Sequence, residues 1–223
     1  MISFKDVRTE WFGPITFTAS AGAAMKILTP SVEASGAFTR VAAGLAKPDS
    51  GVVTMLGLDI YSITEEEYIS MMKNVGLAPR SGGMISNLPT HENIALPALY
   101  HGKKTMVELE DLTSRILAGL NIPEEQGLEM MRTPPHKLKP YQKRIATMIR
   151  AQAMEPVLMI YEEIASQLNA DIRKNVIQSA MNFHSQGKQR VSIFVTCDES
   201  SLNSIPAAET IVLGPAKPQA ERE

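Results

Sequence analysis

ILTPSVEASGAFTRVAAGLAKPDSGVV, residues 27–53, is the stretch on which the fold is read. The β-rich run Ala24–Leu28 leads into it. Small residues follow from Thr29, and from Gly36 to Ala46 apolar residues recur at helical spacing. Pro48 and Gly51 then mark a turn into another β-rich run. Strand, short loop, helix and turn in that order form a unit of α/β domains. The alternation continues outward. Ile2–Val7, Ile15–Ala19, Val52–Leu56, Val157–Tyr161, Val191–Thr196 and Thr210–Leu213 predict strands, and Asp171–Gln186 predicts a helix. From about Leu88 to Ala153 the patterns are helical only, punctuated by Pro97, Pro123, Pro134 and Pro135. The expected organisation is an α/β core from residues 1–87 and 154–215, with a mixed, mainly parallel sheet. A helical lobe is inserted at 88–153, and a frayed polar tail closes the chain at 216–223.

Composition narrows the function classes. Apolar residues make up 44% of the 223, enough for a core. A formal net charge of -2 gives no electrostatic footprint for nucleic acid. The single cysteine, Cys197, cannot form an internal disulfide, which favours an intracellular setting. There is no signal-peptide pattern, and no apolar run approaches the roughly 20 residues of a membrane-spanning helix. Work at a membrane would therefore go through a partner. His91, His101, His136 and His184 lack metal-ligand spacing, and the methionines read as core fillers or an adaptable partner surface in the lobe.

The loop after Ala24–Leu28 has the frame of a phosphate-binding P-loop, which reads GxxxxGK(S/T). Its glycines let backbone N–H groups close around phosphate, its lysine reaches the terminal phosphates, and its hydroxyl binds magnesium. The same eight positions here read TPSVEASG. Thr29 and Ala34 stand at the glycines, Ser35 at the lysine and Gly36 at the hydroxyl residue, with Ala37 following. No lysine lies between Lys26 and Lys47 to rescue the motif, and Glu33 adds a carboxylate. Two like charges about 4 Å apart cost about 4 kcal/mol at an effective dielectric of about 20. The helix dipole returns only about 1 kcal/mol. Ser35 reads as an N-terminal helix residue of capping value.

GLAKPDSGVV resembles the segment after the P-loop in ABC-transporter ATPases, AGLxxPxxGxV, and further matches follow in that family's order. NVGLAPRSGGMISNLPTHENIALP (74–97) resembles the Q-loop region, above all of Mla/Mce-type lipid-transport ATPases, with Arg80 at the glutamine. LKPYQKRIATMIRAQAMEP (138–156) resembles the LSGGQ signature and its helix. Leu138 and Gln142 fit, while Lys139, Pro140 and Tyr141 replace Ser-Gly-Gly. In VLMIYEEIASQLNA (157–170), Glu162 stands at the Walker B aspartate, Glu163 at the catalytic glutamate, and Asn169 ends the D-loop. In SIFVTCDES, Cys197 stands at the switch histidine. The region before Ile15 is short against the family pattern; Trp11 or Phe12 could serve as its adenine-stacking aromatic, but each reads first as sheet packing.

The resemblance implies a P-loop NTPase-like ABC ATPase core whose hydrolytic parts are degraded on both faces. The family signature works through a serine and N–H groups at a helix start. Pro140 has no N–H, and Tyr141 is bulky where glycine allows close approach. Glu163 reads as a retained strand-end acid and Cys197 as a buried, inert thiol. The leading expectation is a non-catalytic scaffold or regulator of a transport assembly, with no cofactor. It would sit in the cytoplasm at the membrane, docked through its lobe on an integral-membrane permease, and could pair with itself or with an ABC ATPase. One alternative is a divergent ATPase holding ATP and Mg2+ through Glu162, Glu163 and the helix start. The other is a soluble interaction module unconnected with transport.

Overall fold

The computed structural model describes residues 1–207 and 209–215. The expected tail at 216–223 lies outside the described residues. In chain order the elements are β1 (Ile2–Arg8), β2 (Ile15–Ala19), β3 (Ala24–Leu28), α1 (Val32–Ala42), β4 (Ser50–Met55), β5 (Leu58–Asp59), α2 (Glu65–Met72) and β6 (Val75–Ala78). Four helices follow: α3 (Thr90–Tyr100), α4 (Met106–Gly119), α5 (Glu124–Arg132) and α6 (Pro140–Ala153). Then come β7 (Leu158–Glu162), α7 (Ala170–Ser185), β8 (Val191–Thr196), α8 (Glu199–Asn203) and β9 (Glu209–Val212).

The strands divide between two sheets. One is antiparallel in the order β2-β1-β4-β5, and the other is parallel in the order β6-β7-β8-β3-β9. Strand alternation explains the two cores. Leu158 and Ile160 of β7 point to one face, Met159 and Tyr161 to the other. The first face packs on α1, which is clasped between the sheets. Phe38 of α1 stacks with Phe4 and Phe17 of the antiparallel sheet at 5.2 and 6.2 Å, and Phe12 tilts against it at 6.1 Å. On the second face Tyr161 stacks on Phe194 at 4.8 Å, beneath α6 and α7.

The decisive helix differs from the expectation of Gly36–Ala46. It begins four residues earlier because Ser31 caps it, its side chain accepting a hydrogen bond from the Ala34 N–H at 3.2 Å. It ends at Ala42 because Gly44 adopts φ +70, a left-handed stop. Gly51 (φ +91) is required at the following turn. A Cβ there would lie 2.5 Å from the Asp6 carbonyl oxygen.

Candidate functional site

β8 pairs with both β3 and β7, so the C-terminal ends of these three parallel strands lie together. Ligand sites of open α/β sheets form at such strand ends. Thr29 follows β3, Glu163 follows β7 and Cys197 follows β8. The candidate site is built from these residues and the first turn of α1.

Because α1 starts at Val32, only Thr29, Pro30 and Ser31 connect it to β3. Val32, Glu33, Ala34, Ser35 and Gly36 are helical. No residue from Leu28 to Gly36 has positive φ. A phosphate nest needs successive N–H groups in alternating right- and left-handed conformation, and this connection has none. Its polar groups bond inward. The Ser35 N–H donates to the Ser31 carbonyl at 3.0 Å, and the Thr29 N–H to the Thr196 carbonyl at 2.9 Å. Glu33 is exposed. Hydrogen bonds from its own backbone N–H and from Ser31 hold its carboxyl below the usual range, with a smaller contribution from Arg80.

Glu163 is the centre of the site. It is fully buried. Its Oε1 accepts from the Ser35 hydroxyl and the Cys197 N–H, each at 2.8 Å, and its Oε2 accepts from the Thr196 hydroxyl at 2.8 Å. Its backbone is at φ +51, an unfavourable region for a side chain of this size. The backbone is pinned there by its N–H to the Val195 carbonyl (2.8 Å) and by Arg144 Nη1, which donates to its carbonyl at 3.1 Å. Ser35 is therefore a buried bridge to Glu163, and the cap is Ser31. This corrects the reading of Ser35 as a capping residue. Ser35 Oγ also lies 2.6 Å from Thr29 Oγ1.

The neighbouring carboxylate behaves differently. Glu162 Oε2 accepts from the Arg80 backbone N–H at 3.2 Å. Burial pushes its carboxyl above the usual range, and Glu163 adds to that. Its Oε1 lies 3.5 Å from where a Cβ on Gly36 would be, so it rests on the first turn of α1. Burial pushes the Cys197 thiol up to about 11, with the Glu163 charge reinforcing it. Among the described residues no group of three or more His, Cys, Asp or Glu side chains could hold a metal ion.

Lys139 precedes α6, with its N–H donating to Gln142 Oε1 at 2.9 Å, and Pro140 opens the helix. Leu138 is buried, and Tyr141 packs on the second core. Asn169 caps α7, its side chain accepting from the Ile172 N–H at 2.9 Å. Ala34 and Ala37 are buried. Phe12 is core and Trp11 is 38% exposed. The sequence reading gave no role to Thr196, Arg144 or Asn93. Each had a signal: a polar residue ending the apolar run of β8, and two polar residues on otherwise buried helix faces. Asn93 holds the turn before α3 through the Ile85 N–H and the carbonyls of Ile85, Leu88 and Pro89.

Solved structures show the fold. The fold is that of an ATP-binding cassette. The chain superposes on the dimeric cassette MJ0796, in a post-hydrolysis state bound to ADP and Pi, with a TM-score of 0.80 over 96% of this chain and 94% of that one, at 17% identity. For cbiO1 of Clostridium perfringens the TM-score is 0.69 over 95% and 84% of the two chains, at 15% identity. Its relatives in sequence are ATP-binding proteins of ABC transporters. It is 24% identical to the putative hemin import ATP-binding protein HrtA of Staphylococcus haemolyticus, over 87% of this chain and 85% of that protein. It is 26% identical to the sulfate/thiosulfate import ATP-binding protein CysA of Rhodopseudomonas palustris over 83% of this chain, and 24% identical to the probable ribonucleotide transport ATP-binding protein mkl of Mycobacterium bovis over 77%. The chain spans only 51% and 46% of these two longer relatives. No family model matches the chain.

Proposed function

We propose that this chain is a cassette-fold domain that does not hydrolyse ATP and that acts as a scaffold or regulator within a transport assembly. The observation that carries this reading is the connection from β3 to α1. Three residues, Thr29 to Ser31, stand where a phosphate would have to be wrapped, and Ser31 takes up the Ala34 and Ser35 N–H groups at the helix start through its side chain and its carbonyl. The stations of the chemistry are otherwise committed. Glu163, the position for a water-activating base, has its oxygens engaged by three donors and has no access to water. Gly36 offers no hydroxyl for magnesium, and Ser35 no cation for phosphate.

The helical stretch 88–153 is proposed as the lobe that makes the biological contact. A cleft of about 570 Å3 between α3, α4 and α5 is walled by Ile94, Leu109, Leu117, Leu128 and Met131. Met106, which lines it, is exposed, as are Leu99 and Tyr100 of α3 and Val107 of α4. Apolar patches of this kind mark interaction surfaces more often than chance. No described helix is long and apolar enough to cross a membrane, so contact with one would use a partner such as a permease. The relatives' names point to different cargoes, and none is carried over to this chain.

Calorimetric titration of the folded protein with MgATP tests the reading. The expected dissociation constant is about 1 mM or weaker, equivalent to about -4 kcal/mol. Micromolar binding, or turnover that disappears in Glu163→Gln, would overturn it in favour of a divergent ATPase.

A further inference from the structure

The Glu163 carboxylate lacks any exposed surface, yet donors converge on it from two separate elements. Ser35 reaches it from α1, and Thr196 and the Cys197 N–H reach it from the end of β8. Further polar groups lie behind this first layer. Thr29 Oγ1 backs Ser35 at 2.6 Å, and Thr196 Oγ1 accepts from the Asp198 N–H at 3.0 Å, which leaves its hydrogen for Glu163. A carboxylate is acceptor-only, and three donors at 2.8 Å suit that chemistry. Two hydroxyls and one backbone N–H shared between the two oxygens of one carboxylate are also what a protein uses to bind a small free anion.

We infer that Ser35, Thr196 and the Cys197 N–H form a small-carboxylate site whose ligand is the chain's own Glu163, so that the strand ends and α1 are held together by an internal anion. Glu163 reaches the site from a left-handed backbone anchored on β8 and on Arg144 of α6. The internal anion thus ties β7, β8, α1 and α6 into one arrangement that needs no bound ligand. This goes beyond the proposed absence of ATP hydrolysis and does not depend on it, since a protein that bound MgATP elsewhere could still contain the site.

The test removes the tethered carboxylate and supplies a free one. Glu163→Ala leaves a space of about carboxylate size facing three donors. The expected result is a lower Tm in chloride buffer and a rise of several degrees on adding formate to tens of millimolar. Formate should bind saturably with millimolar affinity in calorimetry. Wild-type protein should show neither response. Glu163→Gln, which fills the space, should not bind formate. A folded Glu163→Ala protein with unchanged Tm, or one that is destabilised without saturable formate binding, overturns the inference, as does formate binding to Glu163→Gln. If Glu163→Ala does not fold, a double-mutant cycle of Ser35→Ala with Glu163→Gln decides. Non-additive shifts in Tm are expected for groups in direct contact, and additive shifts overturn the inference.

Discussion

Ser35 and Glu163 meet through one hydrogen bond 2.8 Å long, in a place that water does not reach. Ser35→Ala should therefore cost about 1–3 kcal/mol, the range for stranding a buried polar partner. For a chain of this size that lowers Tm by roughly 3–10 °C. A melt within 1 °C of wild type would show that the bridge contributes nothing. Glu162 gives a pH-dependent counterpart. Its folded pKa is raised above 4.5, so below 4.5 both folded and unfolded states are protonated and the group has no effect. As pH rises through the folded pKa, ionisation in a partly buried position destabilises the protein. Glu162→Gln keeps an acceptor for the Arg80 N–H. It should be more stable than wild type at neutral pH, with the gain shrinking to nothing as pH falls below 4.5. A gain that is constant with pH would refute the burial argument.

The connection β3–Ser31–α1 is an element-scale feature, and on the proposed reading restoring single residues should not make a phosphate site of it. A chain carrying Ser35→Lys, Gly36→Ser and Cys197→His together should show no ATP turnover above background, because α1 still begins at Val32. Turnover in that triple variant would mean that side chains alone had been missing. The same element shows what could be read in advance. Strand and helix alternation, the parallel sheet and the order of motif positions were legible, because periodicity and Gly/Pro punctuation are local signals. The helix start was not, since Ser31 and Ser35 look alike in sequence and only the cap geometry separates them. β6 was missed because it is four residues long and interrupted by Gly76. A Cβ at Gly76 would collide with Pro156 and Met159 at 2.6 and 2.7 Å. α2 was also missed, although Thr64 and Glu67 form a capping box with a recognisable spacing. In the site, Ser35, Glu163 and Cys197 were singled out separately. Their convergence was invisible because it depends on strand pairing across more than a hundred residues of chain.

For the whole molecule, the helices between Thr90 and Ala153 are the part that carries the exposed apolar side chains of interest. Tyr100 is 82% exposed and Val107 is 74% exposed. Tyr100→Glu combined with Val107→Glu should leave the melt unchanged, within about 0.5 kcal/mol. The same pair should abolish co-purification with an integral-membrane partner from native membranes. Undiminished capture by this double variant would move the contact away from the helices.

Arg150 has a mechanical consequence. Its guanidinium donates to the carbonyls of Gly83 and Gly82 at 2.8 and 3.2 Å, and so fastens the turn after Arg80 to α6. The Arg80 N–H in turn grips Glu162 at the tip of β7. A displacement of α6 has a tether to the strand end that bypasses the hydrophobic packing: guanidinium, glycine turn, peptide N–H, carboxylate. In this chain that run of contacts ends on a carboxylate whose Oε1 lies 3.5 Å from where a Cβ on Gly36 would be, so polar contacts link α6, the glycine turn and the end of β7 as far as the first turn of α1.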